Sequence, residues 1–386
     1  MHKYYLNHAS AGLMSDETLK AVTEHLKLES EIGANPAALA RSEELERFYT
    51  LAAGLLNAKS PQEIAFTDSA ARGWSLVLWG AGMRRGDVIV TLSSEYGSNL
   101  ISLYDIAFRT GGDVILIPCG EDGSFSMAEL EHALEQGVAQ GGKLFLAVSH
   151  AASQGSIINP VEELGRLAQK HHAVYLVDGA QAVGQIPVDV QKIGCSAYTA
   201  SGRKWLRGPK GTAILYVKKD ADVSPLQLDV SSARLLLGAD GSGCGVEVRG
   251  DARRFELWER NNAAILGLNN ALREVEEIGI GKINQVLSQR ADRLRQCISD
   301  NSALSLVGKS VSKSGTAAFY LKNAAGEEAA AKLFEDAGLT IKLVGQQDFP
   351  CFFRDGAVRR IFRLSPHYVA AEESLELAES VIGNIR

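Results

Sequence analysis

Cysteine is scarce in this sequence: five residues among 386, at Cys119, Cys195, Cys244, Cys297 and Cys351, with no CxxC spacing. An odd, widely scattered set excludes a disulfide framework and a zinc site, and it suits a reducing compartment. No metal site is expected. Long apolar runs are missing as well. None approaches the roughly 18 residues that a membrane-spanning helix needs, and the start, MHKYYLNHAS, has no apolar signal core. The expectation is a cytoplasmic protein with no membrane partner. The third absence is a surplus of positive charge. Lys and Arg number 40 against 46 Asp and Glu, a formal net charge of -6. That leaves no basic field for nucleic acid and favours a small-molecule ligand.

What is present is an ordinary globular composition, 46% hydrophobic and 22% charged, in a chain long enough to bury a sizeable core. From about residue 16 to 218, helical stretches alternate with short apolar runs: DVIVTL (87–92), DVILIP (113–118), LFLAVS (144–149), AVYLVD (173–178) and TAILYV (212–217). Runs this rich in Val, Ile and Leu fit parallel strands buried on both faces, with the helices as crossovers. The spacing predicts an α/β fold with a mostly parallel sheet and helices on both faces. PVEELGRLAQKHH (160–172) is one such helix, with Pro160 near its start and Glu162 and Glu163 in its first turn. After an irregular stretch and the Gly-rich GADGSGCG (238–245) come a helix from about Asn262 to Ile278 and a second one containing VLSQRADRLRQCI. TAAFYL and TIKLV then alternate with helices in EEAAAKLFEDAG and AAEESLELAESVIG. These boundaries suggest a large domain over 16–261 and a smaller α/β domain built from 1–15 and 262–386.

In open α/β sheets the ligand sits at the carboxyl ends of the strands, so the residues after each apolar run carry the chemistry. After AVYLV come Asp178 and Gln181. After LFLAV come Ser149, His150 and Ser153; after VIVTL come Ser94, Glu95 and Tyr96. The stretch SGRKWLRGP, 201–209, lies just ahead of TAILYV and contains Lys204. A lysine between two core strands must reach solvent or a partner, since burying an unpaired ammonium is costly. Beside other cations such as Arg203 and Arg207, its pKa falls and the amine becomes a nucleophile suited to Schiff-base formation. A solvated, salt-bridging lysine would show the same local sequence.

VDGAQAVGQIPVDV followed by SGRKWLRGPKG resembles the core motif of the fold-type I, class V aminotransferase family of pyridoxal-phosphate (PLP) enzymes. Relatives in that family include cysteine desulfurases, selenocysteine lyases, isopenicillin epimerase-like enzymes and carbon–sulfur lyases. The resemblance runs from YLNHASAG to RLSPHYVAAEESL. It implies a mostly parallel, seven-stranded type of sheet with a smaller C-terminal α/β domain. It also implies that Lys204 carries PLP as a Schiff base and then moves the proton at the substrate α-carbon. Asp178 would pair with the ring nitrogen and Gln181 with the ring hydroxyl. Ser153 stands where many relatives have an asparagine near that hydroxyl. Tyr96 stands where a histidine stacks on the ring, and an aromatic side chain keeps that geometry. Phosphate binding would use the turn at Ser69, Ala70 and Ala71, ahead of an apolar helix. Relatives often have threonines at 70 and 71, so Ser201 and Arg203 would add side-chain support. Arg363 would bind the substrate α-carboxylate through a bidentate fork, and His150 matches a histidine near the substrate. A homodimer is implied, with residues from Trp258 to Asn262 reaching the partner's cofactor. Glu259 replaces the usual phosphate-binding threonine there, and Arg260 stands beside it.

Taken singly, several of these residues have plainer readings: Asp178 and Ser69 as helix caps, Tyr96 and His150 as packed residues, Arg363 as a surface arginine and His367 as part of a polar turn. The reaction is less determined than the cofactor. Cysteine desulfurases need a nucleophilic cysteine upstream of the carboxylate-binding arginine. Cys351 follows a Phe-Pro pair and lies closer to Arg363 than that cysteine does, so it is expected to be packed. The reading favours an aminotransferase, with β-elimination of a carbon–sulfur bond and epimerisation as alternatives and desulfuration less favoured. A nicotinamide-dependent Rossmann enzyme is excluded, because GADGSGCG lies far from a first strand–helix turn.

Overall fold

The computed structural model describes residues 4–120, 122–139, 141–238, 243–308, 313–353 and 360–386. After a two-residue strand, β1 (Tyr4–Tyr5), the chain builds a seven-stranded sheet. Its members are β2 (Ile64–Thr67), β3 (Val88–Leu92), β4 (Asp113–Ile117), β5 (Leu144–Ser149), β6 (Val174–Asp178), β7 (Ala197–Ser201) and β8 (Ala213–Val217), in the order β2-β8-β7-β6-β5-β3-β4. Strands β4, β3, β5, β6 and β7 are mutually parallel. All five apolar runs are strands, but two expectations about them need correction. TAILYV, which forms β8, runs antiparallel to both neighbours. The connection 202–212 contains no helix, and without a crossover the chain can only turn back along its neighbour. β4 is not buried on both faces either, since as an edge strand it leaves Asp113 exposed and Val114 half-buried. β2 and β7 were not anticipated: IAFT is very short, and AYTAS is interrupted by hydroxyl residues.

Each face of the sheet has its own core. Val90, Leu146, Tyr175, Val177 and Tyr198 point to one side, under helices Ser42–Leu56, Met127–Ala139, Val161–Lys170 and Asn262–Ile278. Ala65, Ile89, Phe145 and Leu176 point to the other, under helices Ala70–Gly80 and Gly97–Thr110. This alternation is the period-2 geometry of a strand covered on both sides. Helix Asn262–Ile278 also packs on Asp16–Ile32 and Ser42–Leu56.

Within the region read as irregular, β9 (Ala233–Leu237) and β10 (Cys244–Val248) form an antiparallel hairpin; residues 239–242 of GADGSGCG lie outside the described residues. The C-terminal part carries a four-stranded antiparallel sheet in the order β11-β12-β15-β14, from β11 (Leu304–Leu306), β12 (Ala317–Leu321), β14 (Lys342–Val344) and β15 (Ile361–Leu364). Between them, β13 (Leu339–Thr340) pairs with β1, so TIKLV is split between two sheets. Helices Ile280–Asp300, Glu327–Asp336 and Glu372–Gly383 back the smaller sheet through Leu294, Phe334 and Leu375. Among the described residues, no helix is long and apolar enough to cross a membrane.

Candidate active site

The carboxyl ends of β5, β6 and β7 lie side by side, with Ser149 level with Asp178 and Asp178 level with Thr199. These three side chains share the face covered by helices Ala70–Gly80 and Gly97–Thr110. Asp178 is buried. Its Oδ1 accepts hydrogen bonds from the Ala180 amide at 2.8 Å and the Thr199 hydroxyl at 3.4 Å; its Oδ2 accepts one from Asn99 Nδ2 at 2.8 Å. Gln181, in the turn after β6, donates through Nε2 to Ala9 O at 2.8 Å and Ser153 Oγ at 3.0 Å. Its Oε1 accepts from the Trp205 indole at 2.9 Å.

Lys204 lies in the turn between β7 and β8, and the N-terminal segment clamps that turn. Gly12 donates its amide to Arg203 O at 2.6 Å, and a Cβ at Gly12 would fall 2.4 Å from Lys204 O, so only glycine fits there. Arg207 takes a left-handed φ of 61°, held by Leu13 O at 2.6 Å and Glu274 Oε1 at 2.5 Å. Trp205 is fully buried, and its carbonyl accepts from His367 Nε2 at 3.0 Å; His367 in turn stacks on His8, ring centroids 4.6 Å apart. His367 is thus part of the scaffold under the lysine turn.

Burial lowers the Lys204 ammonium to about 7, with Asp178 pulling the other way and Arg203 and Arg363 adding to the fall. Arg363, on β15, is pushed down to about 10, first by burial and further by Arg203, against Asp348 and Tyr96. Its Nη1 donates to Ser153 O at 2.6 Å and Ser153 Oγ at 2.8 Å, and its Nη2 to Ser10 Oγ at 2.7 Å. Ser153 therefore links Gln181 to Arg363. Arg363 Nε is buried with no partner among the described residues. Lys204 thus lies within electrostatic reach of Asp178, Arg203 and Arg363, and one orphaned guanidinium donor remains. Such a pocket suits an anionic ligand with a cationic or hydrogen-bonding ring atom, and the charge pattern of PLP joined to an amino acid fits it.

The turn expected to hold phosphate lies at the same sheet edge. Thr67 and Ser201 are both level with Ala213 across β8. Ser69 caps helix Ala70–Gly80, its Oγ accepting from the Arg72 amide at 3.2 Å, so the Ala70 and Ala71 amides form the open end of the helix. Gly73 lets this helix close on the sheet, a Cβ there meeting Thr199 Cγ2 at 3.3 Å. Ser201 is buried on the same face as Asp178, and Arg203 is half-buried.

Other residues are placed differently. His150 is buried and faces the opposite side of the sheet, with Nδ1 2.8 Å from the Tyr198 hydroxyl; burial lowers it to about 4. It is not brought to Arg363, because strand alternation turns it away from Asp178. Tyr96 is half-buried, its ring 5.9 Å from that of Phe349. Arg260 donates to Tyr49 at 2.8 Å and Glu256 at 2.9 Å within its own chain. Together with Glu259 it borders a cavity of about 200 Å³ shared with Thr67, Asp68 and Arg72. Cys351 is half-buried and lies near Tyr104, whose phenol is raised by burial and then by that thiol. Residues 354–359 of the loop ahead of Arg363 lie outside the described residues. Sequence reasoning named Glu95 among the strand-end residues without assigning it a task, and it did not single out Asn99, Ser10 or Thr199. The four-residue spacing of Glu95 and Asn99 at the start of a helix was the available signal.

A family model described as aminotransferase class-V matches residues 4–377. The chain belongs to that family, and it is a PLP-dependent enzyme of fold type I. A probable cysteine desulfurase of Methanothermobacter thermautotrophicus is 26% identical over 392 residues, covering 99% of this chain and 94% of the relative. A cysteine desulfurase of Escherichia coli O7:K1 is 30% identical over 287 residues, covering 72% and 68%. Among solved structures, the apo cysteine desulfurase of Thermococcus onnurineus superposes with a TM-score of 0.86 at 23% identity, covering 98% of this chain and 94% of that one. The cystine C–S lyase C-DES, in complex with its product cysteine persulfide, gives 0.83 at 22% identity, covering 99% and 97%. At these identities the two structures establish the fold.

Proposed function

We propose that this enzyme cleaves the carbon–sulfur bond of a cysteine-type amino acid by β-elimination. The expectation of an aminotransferase gives way here, since the relatives named above are desulfurases and a C–S lyase. The observation that separates those two is the placement of Cys351. Phe349 is buried and packs near Tyr96, Asp348 O is held by the Gly97 amide at 2.8 Å, and the thiol sits beside Tyr104. Tyr104 is half-exposed on helix Gly97–Thr110. Cys351 is half-buried two residues after the anchored Phe349, which supports a cysteine held in place rather than a mobile sulfur acceptor.

PLP, when bound, supplies stabilisation of negative charge at the substrate α-carbon. Lys204 removes the α-proton, and its lowered pKa suits an amine that must be neutral near pH 7. Arg363 fixes the α-carboxylate. Asp178 would pair with the ring nitrogen, Gln181 and Ser153 would serve the ring hydroxyl, and the Ala70 and Ala71 amides with Ser201 and Arg203 would receive the phosphate. The Cβ–S bond breaks with its electron pair on sulfur, and one water is consumed as the nitrogen leaves. Cystine would thus give pyruvate, ammonia and cysteine persulfide.

Desulfuration is the second reading, favoured by the names of the relatives. The deciding experiment gives L-cystine and L-cysteine to wild-type and Cys351→Ser holoenzyme and analyses the products. Pyruvate and ammonia from both proteins support β-elimination. Alanine from wild type alone, with persulfide on Cys351, establishes desulfuration, and a keto acid with the pyridoxamine form of the cofactor establishes transamination.

A further inference from the structure

Glu95 has no part in the chemistry above, yet it is 1% exposed and among the most enclosed carboxyl groups of the chain. Four donors converge on it. The Ser149 amide reaches Oε2 at 2.6 Å, while the Tyr96 amide at 2.9 Å, Asn99 Nδ2 at 2.9 Å and the Ser149 hydroxyl all reach Oε1. Burial pushes this carboxyl up to about 7; the Ser149 hydrogen bond opposes the shift and the Asp178 charge adds to it. A buried carboxyl with this many donors is expensive to install for packing alone.

Asn99 Nδ2 also donates to Asp178 Oδ2, at 2.8 Å. Both hydrogens of one amide nitrogen are therefore taken by two carboxylates. Turning the amide over would set its carbonyl oxygen against both of them, so Glu95 and Asp178 together hold Asn99 in this orientation. The relay covers three adjacent strands of the sheet: Glu95 follows β3, Asp178 ends β6, and β5 lies between them. Asn99 lies in the first turn of helix Gly97–Thr110, which fixes its place along the relay. With Oδ1 held by Ala180 and Thr199, the Asn99 bond at Oδ2 completes the orientation of the Asp178 carboxylate.

We propose that Glu95 is a positioning residue for the cofactor. Through Asn99 it helps to fix how Asp178 faces the ring nitrogen, so a residue two strands away in sheet order governs how firmly the ring is held. This rests on the reading of Asp178 as the partner of that nitrogen.

The test strips cofactor from wild type and from the variants Glu95→Leu, Glu95→Gln, Asn99→Ala and Asp178→Asn. PLP is then added back, and its dissociation constant and the absorption maximum of the bound form are recorded, with the thermal midpoint of each apoprotein as a control for folding. Glu95→Leu and Asn99→Ala are expected to weaken PLP binding about tenfold, the order a lost charge-assisted hydrogen bond gives. They should also shift the absorption band in the direction that Asp178→Asn shifts it. Glu95→Gln keeps an oxygen for Asn99 and should fall between Glu95→Leu and wild type. A purely structural role would lower the thermal midpoints and leave the band of the bound form in place. If Asp178→Asn changes binding and spectrum while Glu95→Leu and Asn99→Ala do not, the relay is overturned and the reading of Asp178 stands. If Asp178→Asn changes neither, both are overturned. Should Glu95→Leu fail to fold, Glu95→Gln decides: a band and a dissociation constant equal to those of wild type, with Asn99→Ala changed, would overturn the part given to Glu95.

Discussion

Lys204 shows how one residue's chemistry is set by its surroundings. An ordinary lysine amine is almost wholly protonated at neutral pH; here desolvation and two guanidinium groups outweigh the pull of Asp178 and bring it to about 7. The sign gives a direct expectation. Below about pH 7 the apoprotein amine is protonated and cannot attack the PLP aldehyde, whereas above it the amine is neutral. Covalent capture of PLP by apoprotein, followed by stopped-flow absorbance, should therefore accelerate about tenfold per pH unit up to pH 7 and then level off. A capture rate still climbing steadily at pH 9 would show a lysine with an ordinary pKa. Lys204→Ala should show no covalent capture at any pH.

The elements position these residues by simple rules. Helix Ala70–Gly80 begins where β2 ends, and Ser69 closes its first turn while leaving two amides open. Replacing Ser69 with Ala should destabilise the protein by about 1 kcal/mol, the usual worth of such a cap, and a denaturant titration would show it. A change below a few tenths of a kcal/mol would mean that solvent or a neighbour replaces the cap. The sheet was legible wherever apolar runs were long, at β3, β5 and β6. It was obscure at β2 and β7, where four and five residues carry too little pattern to separate a strand from a loop. The direction of β8 was hidden because TAILYV is equally apolar either way; the helix-free connection 202–212 was the readable sign. His150 and Ser153 follow the same strand, yet Ser153 reaches Arg363 while His150 turns to the opposite face. His150, one residue past β5, keeps the alternation of the strand, whereas Ser153 follows a turn whose backbone dihedrals the sequence does not display.

At the scale of the whole molecule, apolar surface remains uncovered. Leu235, Leu236, Leu237 and Val246 on the β9–β10 hairpin are more than two-fifths exposed, as are Val230 and Trp258 nearby. An apolar group of this extent is unusual on a monomer, and the same region carries Glu259 and Arg260 beside the candidate phosphate site. We propose that it is covered in a homodimer. Sedimentation velocity should find a species of twice the chain mass at micromolar concentration, and Leu236→Glu should shift it toward monomer. A fully active monomer would defeat the proposal.

The sequence by itself determined the fold class, the cofactor and the residue types that meet it. The fold class rests on local pattern, since apolar runs mark strands; the cofactor and the residues expected to meet it rest on the resemblance of the motifs around Asp178, Lys204 and Arg363 to the class V family. Only the tertiary structure decided which of these residues meet. Ser10 from the N-terminus, Ser153 after β5 and Arg363 on β15 come together through contacts between segments up to 353 positions apart. Glu95 reaches Asp178 through an asparagine that no motif had singled out. Such contacts arise because folding brings distant strand ends to one sheet edge, and the hydrogen-bonding needs of buried polar groups then select their partners.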